Sequence, residues 1–305
     1  MTDVYAGEMN PERVALERSW LRYGIQNFDV CIRGCDCLVP IPEQPTLCNP
    51  NDLVRILNAN AAEYAHKKGD ITLIVNGHDK PQLHELTHGE VQNWVRSGWF
   101  RRIFFEGVTT RVDGIDTAIK VLDQHYMLGR EREFLSAVLN AHVDDKPYLA
   151  LGAWGKRGKK TSYMPDSLAL GDFLSGVDAR FEEEVAMGMN TTDEPWVQHK
   201  MFTVLDYFRE LSKYKFLIAP KGGGVQSPKF VEALMVQTIP VTKRYTCFED
   251  LQSYGMPMVL VDEWEDLTPE LLEEAWEHYR PVLERARWIG TVQGVESLYY
   301  GRCTD

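Results

Sequence analysis

The chain has 305 residues, with 45 acidic against 33 basic side chains and a net charge of −12, long enough for two domains that each bury a core. So acidic a balance argues against a dedicated nucleic-acid binder, which carries a basic domain. No apolar run approaches the roughly 18 residues that a membrane span needs, and the opening residues lack the charged-then-apolar pattern of a secretory signal, so a soluble, cytoplasmic protein with no membrane insertion is expected.

Helices and short apolar strands alternate along the sequence, the pattern of an α/β fold. Asn10 suits a cap and Pro11 the first turn of a helix over 11–23. Residues 29–39 read as extended and 51–66 as an amphipathic helix. DITLIVNG, residues 70–77, reads as a buried strand running into a turn. A helix is expected over 85–96, a strand at RRIFFEGV (101–108), and helices over 115–128 and 131–141. In the second half, KPYLALGAWG (146–155) is a strand opening into a basic loop. A helix over 196–211, a strand at YKFLIAP (214–220), a helix over 228–236 and strands at TIPVT (238–242) and MPMVLVDEW (256–264) follow. Thr268 caps a long helix to 286, with Pro269 in its first turn and acids near its start. The shift in composition at 140–147 marks the domain boundary. The expected division is 1–145, 146–288, and a tail over 289–305 that packs back. Two α/β domains of similar size leave a cleft at their strand carboxyl ends, where such folds bind ligands.

Six cysteines are present. Cys31, Cys35, Cys37 and Cys48 crowd together, while Cys247 and Cys303 stand apart. The spacing C-x3-C-x-C-x10-C fits no common zinc or iron–sulfur pattern, so free thiols are expected. Two basic clusters, Lys156-Arg157 with Lys159-Lys160 and Lys243-Arg244, stand out on the acidic chain. They suit a small anionic ligand or ordinary solvated loops.

The most informative segment is PKGGGVQSPK, residues 220–229. Three glycines after an apolar strand permit positive φ and a close backbone approach. Pro228 suits the first position of a helix whose early N–H groups and dipole favour phosphate oxygens, with Lys221 and Lys229 adding charge. The glycines are contiguous, so the turn is neither G-x-G-x-x-G nor a P-loop. GAWGKRGKKT, from Gly152, misses the P-loop by one residue and has Lys160 in the hydroxyl position. Glu232, one turn into the helix, stands among Phe230, Val231, Ala233, Leu234 and Val236. A carboxylate in such company needs donors, and the vicinal hydroxyls of a ribose would supply them. An acid that stabilises its own helix start is the plainer reading.

Phe230-Val231-Glu232-Ala233-Leu234, Ile239-Pro240-Val241 and VLVDEWEDL (259–267), in this order after the glycine turn, resemble the C-terminal half of exostosin-like glycosyltransferases. The likeness covers about 55 residues well and extends weakly upstream to KPYLALGAWGKRGKK. It implies a GT-B architecture, two Rossmann-like domains with a cleft between them, and inverting transfer of a sugar from a nucleotide-sugar, a UDP-sugar by expectation, to a glycan or glycoprotein acceptor. By the same resemblance Gly222, Gly223, Gly224 and Ser227 lie along the donor diphosphate, Glu232 holds the ribose, and Lys156, Arg157 and Lys160 neutralise phosphate from the facing loop. Lys221 and Arg244 complete the expected donor set. Lys229 stands where the family often has Arg, so its grip is not bidentate.

Glycosyl transfer needs a base for the acceptor hydroxyl and positive charge for the departing diphosphate. The turn and the lysine-rich loop offer the charge, and no Asp-x-Asp stands beside a strand end, so no metal or other cofactor is expected. His78 and Asp79, just beyond the strand at 70–77, are the first candidates for the base. Asp36 and Asp113 are alternatives, and ordinary turn chemistry is the plainer reading of the pair. A non-catalytic nucleotide- or sugar-binding protein and a phosphate-handling transferase built on the near-P-loop are the competing functions.

Overall fold

The computed structural model describes residues 30–33, 36–41, 44–47, 50–76, 88–108, 111–120, 131–153, 196–200, 202–220 and 225–286. These residues form two sheets, each covered by helices, which is the two-lobed α/β class that the sequence leads one to expect.

The first sheet has six strands in the order β3-β2-β1-β4-β5-β6. They are β1 (Val30–Arg33), β2 (Asp36–Ile41), β3 (Gln44–Leu47), β4 (Ile71–Asn76), β5 (Phe100–Glu106) and β6 (Asp116–Ala118). β1, β4, β5 and β6 run parallel, while β2 and β3 extend the sheet antiparallel. Ile103, Phe104 and Phe105 are all buried. Neighbouring strand residues point to opposite faces, so such a run is the signature of a strand covered on both sides. Helices α1 (Pro50–Ala59) and α2 (His88–Arg96) contact one another, and α2 lies against β5. The indole of Trp99 donates to Asn58 Oδ1 at 2.8 Å, which fastens α1 to the start of β5.

The second sheet is wholly parallel, in the order β11-β10-β9-β7-β8. Its strands are β7 (Tyr148–Gly152), β8 (Val197–His199), β9 (Tyr214–Ile218), β10 (Ile239–Lys243) and β11 (Val259–Val261). Counted within the lobe from its β8 edge, the order is second, first, third, fourth, fifth. The chain therefore builds outward from β7 in one direction and then returns to its other side, and the reversal falls between β7 and β9. In doubly wound sheets the crevice beyond the carboxyl ends of two such strands is the usual ligand site.

Helix α3 (Glu131–Asn140) precedes the expected boundary at 145/146, yet it packs on α4 (Val204–Leu211) of the second lobe. The Phe134 ring meets Phe208 edge-on at 4.5 Å. Helix α5 (Lys229–Met235) is short and almost wholly buried. It ends where Gln237 turns left-handed at φ 58. Thr238 N–H bonds Ala233 O at 2.8 Å and Gln237 N–H bonds Leu234 O at 3.0 Å, a Schellman closure that delivers the chain into β10. Helix α6 (Thr246–Ser253) follows β10, and α7 (Pro269–Tyr279) follows β11 with Thr268 Oγ1 accepting from Leu271 N–H at 3.2 Å. A 3-10 turn (Arg280–Val282) and α8 (Leu283–Ala286) close the described chain.

Several expectations change. The helix expected over 115–128 begins as strand β6, paired with β5; Gly114 at φ +82 breaks the chain just before it. The helix expected over 196–211 splits into β8 and α4, because Thr203 caps α4 by accepting from Asp206 N–H. Strand β3 and helix α6 were not anticipated. The expected helix over 11–23 and the tail over 289–305 lie outside the described residues. Among the described residues no helix is long and apolar enough to cross a membrane.

Candidate functional site

β7 and β9 are direct partners, with Gly152 opposite Ile218. The basic loop begins just past Gly152 and the glycine-rich turn just past Ile218. The two segments read separately in the sequence thus depart from the carboxyl ends of adjacent strands, at the point where the strand order reverses. Lys156, Arg157, Lys160, Lys221, Gly222, Gly223 and Gly224 themselves lie outside the described residues, as do His78 and Asp79 beyond β4.

The described members of the donor set are Ser227, Lys229, Glu232 and Arg244. Ser227 caps its own helix: its Oγ accepts from Lys229 N–H at 3.4 Å and its carbonyl from Phe230 N–H at 3.2 Å. Two first-turn N–H groups expected to face phosphate are therefore already bonded, and α5 has only seven residues. The Lys229 ammonium donates to the carbonyl oxygen of Ala153, at the root of the basic loop. Burial lowers its pKa, and the negative charge of Glu232 raises it. Lys229 therefore joins the start of α5 to the loop across the β7–β9 boundary. Glu232 is 1% exposed, with both carboxylate oxygens shielded from solvent. Its charge is felt by Lys229, three residues earlier on the helix.

Arg244 follows β10. Its Nε donates to Asp262 Oδ1 at 2.8 Å, and Nη1 lies 3.8 Å from Glu249. Beside it Lys243 pairs with Glu263 at 2.8 Å. The basic pair that resembled a second phosphate contact is thus matched by acids from beyond β11 and from α6.

The carboxyl ends of the two sheets face one another. Past β5, Val108 O accepts from Cys247 N–H of α6 at 2.9 Å. On β6, Thr117 Oγ1 donates to Asp250 Oδ2 at 2.7 Å, and Arg111 Nη1 meets Asp250 Oδ1 at the same distance. Past β6, the Gln226 amide bonds Ala118 O and Lys120 N–H, each at 3.0 Å. The Lys120 ammonium reaches Glu106 Oε1, at the end of β5, at 2.9 Å, with both side chains buried. A buried ion pair costs desolvation and is weak evidence for stability by itself. Here it stands at two strand ends beside the glycine-rich turn's last residues. The sequence reading missed Glu106, Lys120 and Gln226. An acid ending the apolar run IFFE was the one local signal, since such runs seldom close on a charge unless the strand end meets something polar.

Asp113 sits exposed in the turn before Gly114, and Asp36 lies in β2, opposite Arg33 of β1. Cys31 and Cys37 occupy the same pair of strands; Cys35, Cys48 and Cys303 lie outside the described residues. Cys247 is a buried free thiol whose pKa burial pushes up to about 12, against a hydrogen bond with Gln226 that lowers it, so it is no nucleophile near neutral pH.

No protein-family model matches the sequence, and a search of curated proteins matches none. Several solved structures are similar. HepE of Anabaena in complex with UDP is 10% identical, with 82% of this chain and 73% of that one covered at a TM-score of 0.34. AviGT4, a glycosyltransferase involved in avilamycin A biosynthesis, is 12% identical over 90% of this chain and 98% of its own, at a TM-score of 0.29. The pneumococcal O-GlcNAc transferase GtfA in complex with UDP and GlcNAc is 13% identical over 82% of this chain and 56% of its own, at 0.25. Likenesses at these scores carry no argument about activity. What the site can do rests on its own residues.

Proposed function

We propose that this chain is a glycosyltransferase of the exostosin-like kind. It moves a sugar from a nucleotide-sugar donor, a UDP-sugar in the first instance, to a hydroxyl of a glycan or glycoprotein acceptor, with inversion. One observation carries the reading. A glycine-rich turn and a lysine-rich loop leave adjacent parallel strands at a reversal of strand order, with a fully buried glutamate one turn into the helix that follows. Such a crevice, with basic and glycine-rich segments at its edge, suits a diphosphate with its attached ribose.

In this reading the segment from Lys221 through Gly222, Gly223 and Gly224 to Ser227 follows the diphosphate. Lys156, Arg157 and Lys160 offset its charge, and Glu232 accepts hydrogen bonds from the ribose hydroxyls. Lys229 and Arg244 are engaged with Ala153, Asp262 and Glu249; each reaches a phosphate only by exchanging those acceptors for it. Asp79 or His78, from the facing lobe, takes the acceptor proton as the acceptor oxygen bonds to the anomeric carbon from the opposite face and the bond from that carbon to the diphosphate oxygen breaks, releasing the nucleoside diphosphate. Fixed positive charge on that leaving oxygen does the work a metal would otherwise do. The donor is a co-substrate, and no further cofactor enters.

Isothermal titration with UDP, GDP and adenosine 3′,5′-bisphosphate, followed by assay of UDP-sugar hydrolysis, tests the proposal. We expect UDP to bind and a UDP-sugar to turn over. Binding of the bisphosphate in place of UDP would point to a sulfo- or phosphotransferase. Nucleotide binding with no turnover of any UDP-sugar would leave a binding protein.

A further inference from the structure

Gln226 is 4% exposed and spends both ends of its amide on the opposite lobe. Its Nε2 donates to Ala118 O and its Oε1 accepts from Lys120 N–H, both at 3.0 Å. Those two backbone groups flank Ile119, just as the partners of a residue in a parallel ladder do. β6 is an edge strand of the first sheet, and the amide stands where the backbone of a further strand would pair with its end. An edge left open there would expose unpaired backbone groups at the lobe boundary. Gln226 is held on its own side too, because it lies against the thiol of Cys247, whose N–H is bonded to Val108 O past β5. Lys120, whose N–H the amide holds, carries its ammonium to Glu106 at the end of β5.

We propose that Gln226 is a positioning residue for the donor site. It seats the segment Val225, Gln226 and Ser227, which links the three glycines to α5, against the carboxyl edge of the first sheet. The lobe boundary and the donor turn are then set by a single side chain. A buried polar node of this kind, with both ends of the amide bonded, fixes one arrangement, because each alternative strands a donor or an acceptor away from water. Seating by Gln226 keeps Ser227 where it caps α5 and keeps Lys229 within reach of Ala153 at the root of the facing loop. The inference deepens the nucleotide-sugar reading and rests on it.

The test uses the full chain with Gln226→Met, which preserves length and bulk but cannot hydrogen-bond, and Gln226→Glu, which can accept from Lys120 N–H but sets a carboxylate against Ala118 O. Hydrogen exchange in peptides covering 117–120 and 225–230 is compared with the rest of the chain, and UDP is titrated into each protein. We expect exchange in those two segments alone to quicken by about tenfold in the Met variant, as loss of one or two net hydrogen bonds dictates. We expect UDP affinity to fall by a similar factor of about ten, and further in the Glu variant, with the melting temperature lowered in both by the loss of these buried bonds. A purely structural glutamine would instead speed exchange throughout the chain and leave the UDP affinity of the folded protein unchanged. Either of those results overturns the inference while leaving the donor reading intact. A wild-type protein that binds no UDP overturns both, and is told apart because the variants then need not be consulted.

Discussion

A carboxylate with 1% exposure on a helix whose other faces are apolar must earn its place through what it touches. For Glu232 the structure offers Lys229 three residues earlier, and the proposed ribose offers two hydroxyls. Truncation separates a ligand-facing role from a helix-stabilising one. In the first case Glu232→Ala weakens UDP binding by about 1–3 kcal/mol, the worth of hydrogen bonds to a charged group. Titration calorimetry measures this directly, and an unchanged dissociation constant removes Glu232 from the site. The position of this acid in an apolar run was legible in the sequence; the bond from Lys229 to Ala153 was not, because it joins residues 76 apart. Lys146 shows the same limit. Its ammonium meets Ser212 O and Val236 O at 2.8 Å and Thr238 Oγ1 at 3.1 Å, so it fastens the start of β7 to the carbonyls at the ends of α4 and α5. Burial pulls its pKa down from 10.5 to about 7. Between those values the unfolded chain binds more protons at this site than the folded one. Its contribution to stability is therefore complete above pH 10.5 and is lost as pH falls through about 7. Lys146→Met lowers stability by roughly 2–4 kcal/mol by stranding buried acceptors. Urea unfolding from pH 7 to 10 should show the gap between wild type and variant widening with pH, by at most about 1.4 kcal/mol per unit.

At the scale of elements, the second lobe was readable wherever an apolar run ended in turn chemistry: β9, α5 and β10 fall within a residue or two of their expected limits, and β7 within three. Failures cluster where an element is very short. β6 and β8 have three residues each, too few to set a period of two apart from one of 3.6, and both exist through pairing with a neighbouring strand, β5 and β7 respectively. The end of α5 shows an element held by a residue that propensity alone would not choose. Gln237 occupies the left-handed position usually given to glycine. Its Nε2 donates to Glu284 of α8, while its Oε1 is buried with no partner among the described residues. Gln237→Ala keeps the left-handed strain and loses the bond to α8. Gln237→Gly loses the same bond but relieves the strain. We expect the glycine variant to be the more stable of the two by about 1 kcal/mol, read from urea midpoints at constant slope.

At the scale of the whole molecule, the decisive feature is that strand carboxyl ends from both sheets converge, so that segments following the strands of one lobe are braced by the other. Sequence reasoning reached two lobes and a cleft, because length and alternation of elements imply them. It could not reach the contacts between the lobes, which join residues more than 100 positions apart. Asp250 is the clearest of these to dissect. One oxygen takes the Thr117 hydroxyl and the other the Arg111 guanidinium, both at 2.7 Å. The Arg111 side chain is 68% exposed and that of Asp250 only 14%, so the two bonds differ in worth. Solvent and salt screen the ion pair, which contributes at most about 1 kcal/mol, whereas the hydroxyl bond is half-sheltered and neutral on one side. Asp250→Asn keeps an acceptor for Thr117 while removing the charge, so its cost should stay below about 1 kcal/mol and vanish in high salt. Asp250→Ala removes both bonds and should cost about 1–2 kcal/mol more, independent of salt. Urea unfolding of both variants at low and high sodium chloride measures the two terms separately. Equal losses in the two variants would mean that the hydroxyl bond contributes nothing across the lobe boundary, and that the lobes are joined there by charge alone.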